Sequence, residues 1–137
     1  MKAADFPPDP KPVVGPPEDP PIRLALALRR VEGDLDLLEE LVKTFQEDLP
    51  GRIERLRAAI ERGDPQDAAR SAHSLRGPLG ILGAEQAQAL AEHLETFGSG
   101  GRLDEAATLY RTFEREVARV SAFFSSSDWK RRLGRSE

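Results

Sequence analysis

Glycine-centred breaks at Gly33, Gly63, Gly83 and Gly98-Ser99-Gly100-Gly101 divide this chain into stretches whose apolar residues recur every three or four positions. That spacing puts one apolar stripe on a helix of 3.6 residues per turn, so it commits the chain to amphipathic helices. The longest stripe is Leu38, Val42, Phe45, Leu49, Ile53, Leu56 and Ile60, and it predicts a helix from Leu35 to about Arg62. Pro50-Gly51 falls in its middle, but the stripe keeps phase across it. We therefore expect one helix bent at Pro50 and not two. Asp34 can cap its start, and Gly63-Asp64-Pro65 stops it and opens the next helix, with Asp64 as cap and Pro65 in the first turn. That helix should end near Leu82-Gly83. A further helix from Glu85 to Phe97 turns Ala87, Leu90, Ala91 and Leu94 inward, and the glycine run after it reads as a flexible turn. The last helix, Leu103 to Phe124, buries Ala106, Tyr110, Phe113, Val117, Val120 and Phe124. A short helix over Leu24 to Val31 precedes them all. The alternation of Ile22, Leu24, Leu26 and Leu28 also suits a strand, but the alanines and arginines between them favour helix. The expected fold is all-α: an up-down antiparallel four-helix bundle with a short extra N-terminal helix.

The 137 residues allow one domain. A net charge of −4 argues against nucleic acid as a partner. The absence of cysteine excludes disulfides, thiolate metal sites and a cysteine nucleophile, and suits the cytoplasm. His73 and His93 have no metal-ligand spacing between them, so no metal site is expected. No apolar run approaches the roughly 20 residues of a membrane helix, and the N-terminus lacks the apolar core of a secretory signal. Residues 1–21 hold eight of the eleven prolines and read as a disordered proline-rich linker. The linker suggests that the bundle, residues 22–125, is the C-terminal domain of a larger sensor protein. Residues 126–137, with Trp129 and the basic Lys130-Arg131-Arg132, read as a flexible basic tail.

One helix carries chemistry as well as packing. Ala68, Ala72, Leu75, Leu79 and Leu82 form its apolar stripe. His73 stands about 100° round from Ala72, among Ala69, Gly77 and Gly80, which are all small. Two glycines inside a helix cost about 1 kcal/mol each, and we take the strip they form with Ala69 as the place where a partner approaches closely. Arg76, one turn on, lies within side-chain reach of the ring. A histidine, whose ring nitrogen is nucleophilic when uncharged, beside a fixed cation on an open face suits a group that takes on phosphate. The same residues also fit an ordinary boundary histidine.

The run His73-Ser74-Leu75-Arg76-Gly77-Pro78-Leu79-Gly80-Ile81-Leu82-Gly83-Ala84 resembles the signature of histidine-containing phosphotransfer (HPt) domains, H-x-L-K-G-x-x-x-x-x-G-A. Arg76 stands where lysine is usual, and Pro78 where a small residue is usual. Gly33-Asp34 with the helix after it, and the pair Leu94-Glu95, are also similar to the family, so the resemblance covers residues 24–124. It implies that His73 is the phosphoacceptor and that Arg76 balances phosphate charge. It further implies that Glu95, on a helix antiparallel to that of His73, hydrogen-bonds the imidazole. The bundle would be a carrier and not an enzyme, monomeric, without ATP binding or a cofactor of its own. Its partner would be a receiver domain of a response regulator or hybrid histidine kinase, which brings the Mg²⁺. Two alternatives stay open. His73-Ser74-Leu75-Arg76-Gly77-Pro78-Leu79 is also similar to the H-box of dimeric histidine kinases, H-E-L-R-T-P-L, although only 53 residues follow Ala84 and none form a nucleotide-binding motif. The other alternative is a helical interaction module that is never phosphorylated, with Glu95 a surface carboxylate near Arg102. Pro78 removes the amide that would bond the Ser74 carbonyl, so the helix either bends there or tolerates the loss.

Overall fold

The computed structural model describes residues 20–133. Six helices follow one another: α1 Leu24–Arg30, α2 Leu35–Glu61, α3 Pro65–Ile81, α4 Glu85–Ser99, α5 Leu103–Ser125 and α6 Asp128–Arg132. The expected proline-rich linker lies almost wholly outside the described residues. The turns between α2 and α5 are short, at residues 62–64, 82–84 and 100–102, which forces sequential helices to run antiparallel. α2 packs on α3 and α5, and α4 packs on α3 and α5, so the four long helices close a ring. α2 continues through Pro50 as one helix. Asp34 accepts from the Leu37 amide at 3.0 Å and Asp64 from the Asp67 amide at 3.1 Å. Each cap satisfies a donor the helix start leaves free, worth about 1 kcal/mol.

The buried set follows the sequence stripes. Leu38, Leu56, Ala72, Leu75, Leu79, Leu90 and Phe113 are fully enclosed. α1 does not join the ring but closes the end where α3 turns into α4. Its entry is sewn to that turn by the Arg23 amide, which donates to the Gly83 carbonyl at 2.8 Å. Gly83 has φ +79°, and a Cβ there would stand 2.5 Å from the Arg23 carbonyl oxygen. Only glycine fits both the backbone and the approach. At the other end of α1, Arg30 donates to the Gly80 carbonyl in the last turn of α3.

Two elements depart from expectation. The tail does not begin at 126. Residues 128–132 form α6, and Trp129 is 2% exposed. Its indole N–H donates to the Phe124 carbonyl at 3.2 Å, and its ring meets that of Phe124 edge-on at 5.3 Å. The last carbonyls of α5 lack helical partners, so one of them satisfies the buried indole while the ring adds apolar area. The second departure is α4, which runs to Ser99 and takes in Gly98, the residue read as the start of a flexible turn.

Tyr110 is buried, and its hydroxyl has no hydrogen-bond partner among the described residues. Burial, followed by the charge of Glu114, pushes its pKa up to about 12 from 10.0. A folded-state pKa above the unfolded one gives stability that is complete below pH 10 and is lost as the pH rises through 12. Tyr110→Phe should therefore remove that alkaline loss. At neutral pH it should leave stability unchanged or raise it by about 1 kcal/mol, because it deletes an unsatisfied polar group. Urea unfolding at pH 7 and pH 11 measures both effects.

Candidate functional site

The site lies on the seam between α3 and α4, which pack on each other more extensively than any other pair. Antiparallel register sets the facing pairs: Ala69 with Gly98, His73 with Glu95, Arg76 with Glu92, and Gly80 with Gln88. Gly98 governs the spacing. A Cβ there would sit 2.9 Å from the Ala69 backbone nitrogen, so any other residue would push the helices apart. One turn along from this contact, the polar pairs meet.

His73 Nδ1 is 3.0 Å from Glu95 Oε2. The imidazole is 65% exposed and the Glu95 side chain 26%. Arg76 Nη1 donates to the other carboxylate oxygen, Oε1, at 2.7 Å and lies 3.4 Å from His73 Nδ1. Nδ1 cannot both donate to the carboxylate and accept from the guanidinium. The shorter, charged contact decides: Nδ1–H donates to Glu95, and Arg76 is a neighbour to the ring and not its donor. Glu92 Oε2 stands 3.7 Å from Arg76. The Glu95 hydrogen bond, reinforced by the Glu95 and Glu92 charges, makes the Arg76 guanidinium harder still to deprotonate. His73 Nε2 has no partner among the described residues, and the ring borders an open trough shared with Ala69, Arg70, Glu95 and Gly98.

The structure thus brings together His73, Arg76 and Glu95, the three chemical residues picked from sequence. Arg102 pairs with Glu105 at 3.0 Å and leaves Glu95 to the histidine. The strip of small residues is divided. Gly77 is exposed, with nothing within 4 Å of where a Cβ would stand. Ala69 is half-buried against Gly98. Gly80, expected on the docking face, is buried instead, with Gln88 Nε2 2.5 Å from its would-be Cβ. It sits about 20° short of His73 on the helical wheel, enough to turn it into the α3–α4 seam. Three contributors were missed: Gly98, Glu92 and Arg52, whose guanidinium reaches the Ser74 carbonyl at 2.8 Å. Pro78 was the available signal for the last, since it leaves that carbonyl in want of a donor.

A family model for the Hpt domain matches residues 40–123, more than half of the chain. The chain belongs to the Hpt domain family. Among solved structures it is similar to histidine-containing phosphotransfer protein B (HptB) from Pseudomonas aeruginosa PAO1, at 28% identity and a TM-score of 0.73, over 88% of this chain and 100% of that one. The Hpt domain of the Hpt sensor hybrid histidine kinase from Shewanella shares the fold at 18% identity and a TM-score of 0.53, over 72% of this chain and 94% of that one. No curated protein sequence matches. Histidine phosphotransfer in phosphorelays is therefore the role of this bundle, as a carrier. The H-box reading yields to the family match, and one chain supplies all four long helices of the core. None of the helices among the described residues is long and apolar enough to cross a membrane.

Proposed function

We propose that His73 takes a phosphoryl group from the phosphorylated aspartate of a receiver domain and hands it to the aspartate of another. The observation that carries this reading is the 3.0 Å contact of His73 Nδ1 with Glu95 on an otherwise exposed ring. A carboxylate at Nδ1 fixes the neutral ring in its Nδ1–H tautomer and leaves the Nε2 lone pair outward. Nε2 attacks phosphorus in line. The N–P bond forms as the bond from phosphorus to the aspartate oxygen breaks, and the aspartate leaves as a carboxylate. No proton moves: Nδ1 keeps its hydrogen, and the positive charge gained by the ring lies against Glu95. Arg76 balances phosphoryl charge from beside the ring and holds Glu95 in place. The receiver brings Mg²⁺ and the aspartate pocket, so this chain supplies position and charge.

The receiver approaches over Gly77. Next to it on α3, Pro78 and, one turn on, the 43%-exposed Ile81 line a mainly apolar groove of about 160 Å³ with Leu41 and Phe45 of α2, bordered also by Asp48 and Arg52. Glycine in an exposed helix position costs about 1 kcal/mol against better helix formers, and nothing in the fold requires it at 77. Gly77→Leu should therefore keep or raise stability in urea, while the KM for a phosphorylated receiver rises about tenfold or more, equal to about 1.4 kcal/mol of lost docking. An unchanged KM would refute docking over this face.

The direct test is incubation of the chain with phosphorylated receiver domains and Mg²⁺. Acid-labile, alkali-stable phosphate on the bundle supports the proposal. Its absence with several receivers leaves a helical interaction module.

A further inference from the structure

Proline at 78 leaves a gap in the helix that carries the acceptor. The amide of residue 78 would bond the carbonyl of Ser74, four residues back, and proline has no N–H. Ser74 is the residue next to His73, so the gap opens beside the reactive ring. A helix that loses such a bond opens on the side of the unpaired carbonyl and kinks away from it, and a bend at Ser74 would swing His73 relative to α4. Yet α3 runs unbroken through Pro78 to Ile81, and His73 meets Glu95 at 3.0 Å. The Ser74 carbonyl is in fact paired. Arg52, from the facing stretch of α2, donates Nη1 to it at 2.8 Å in a half-buried position. A guanidinium is a strong, permanently charged donor for this purpose.

We propose that Arg52 is a positioning residue for phosphotransfer: its guanidinium replaces the amide that Pro78 removes, and so keeps His73 aimed along the α3–α4 seam. Arg52 and Pro78 form a linked pair, in which each makes sense only with the other. The linkage itself is a matter of backbone bonding, and its consequence for transfer rests on His73 being the acceptor. Arg52 also lines the groove beside Pro78, so a simple loss of activity would not separate positioning from receiver contact. The identity of residue 78 does separate them. Alanine there restores the helix bond and makes Arg52 dispensable for positioning, whereas a receiver contact would remain.

Five forms of the chain make the test: the parent, Arg52→Met, Pro78→Ala, the double variant and Arg52→Lys. Three readouts need no receiver. They are amide exchange over residues 75–82, the ¹⁵N signals of the His73 ring, and labelling by phosphoramidate, whose phosphoryl passes to an imidazole nitrogen as ammonia leaves. Arg52→Met should speed exchange at Leu79 and Gly80 about tenfold, the factor expected for one charge-assisted bond. It should also shift the His73 ring signals and slow labelling severalfold. In the Pro78→Ala background the same substitution should change each readout by less than about twofold. Arg52→Lys keeps a donor and should restore most of the parent behaviour. Equal effects of Arg52→Met with proline and with alanine at 78 would overturn the proposal, as would parent-like exchange and ring signals in Arg52→Met. Coupled exchange without label on His73 in any form would instead refute the acceptor assignment and uphold the linkage.

Discussion

His73→Gln is expected to abolish transfer from a phosphorylated receiver while leaving the bundle folded. Two features give the loss its size. The imidazole Nε2 is the proposed nucleophile: Arg76 is a cation tied to Glu95, and the carboxylate is occupied by both neighbours. A glutamine amide nitrogen has its lone pair delocalised into the carbonyl and cannot take its place. Stability should change little, because the ring is 65% exposed and buries no core surface. A surface exchange of this kind is worth about 0.5 kcal/mol or less, or about 2 °C or less in the unfolding midpoint of a domain this size. Glutamine can still donate to Glu95, which limits the disturbance of Arg76. Radiolabel transfer and thermal unfolding, run side by side, measure both halves. Parent-like labelling of the variant would place the acceptor elsewhere and refute the assignment.

What could be read in advance follows physical range. Helices, caps and stripes are local: Asp34 and Asp64 cap as spacing predicts, and every apolar residue assigned inward on α4 and α5 is buried. The meeting of His73 with Glu95 is not local, and it was legible only because the signature and the leucine-glutamate pair are similar to a known family. Gly98 was misread for a related reason. Glycine next to serine and more glycine looks like a turn, and its use as a contact with Ala69 exists only once α3 and α4 are side by side. Gly80 shows how small a rotation separates a docking face from a helix seam. For Trp129, the serine run marked a real corner, but its sequence does not say whether the chain beyond it frays or folds back. That depends on the Phe124 ring and carbonyl it meets. Arg52 is one of three arginines within six residues of α2, and only the assembled bundle shows which of them faces the Ser74 carbonyl.

Replacing Glu95 should slow phosphotransfer by roughly 10–100-fold, the scale on which metal-bound histidines lose activity when their orienting carboxylate is removed. The site has one carboxylate doing two jobs, Oε2 toward His73 and Oε1 toward Arg76. In Glu95→Ala the ring loses the acceptor that selects the Nδ1–H tautomer, and the developing positive charge on the phosphorylated ring loses its counterion. Arg76 keeps only Glu92, at 3.7 Å, and is free to swing away from the ring. Glu95→Gln preserves size but not function. With its amide NH₂ toward Nδ1, it would stabilise the opposite tautomer and place the hydrogen on Nε2, the nitrogen proposed to attack. Both variants should remain folded, because a partly exposed ion pair is screened by solvent and adds little to stability. Ring ¹⁵N signals should report the tautomer directly, and they should change before any receiver is added. Transfer rates within twofold of the parent in Glu95→Ala would remove Glu95 from the mechanism and leave the exposed imidazole to act on its own intrinsic reactivity.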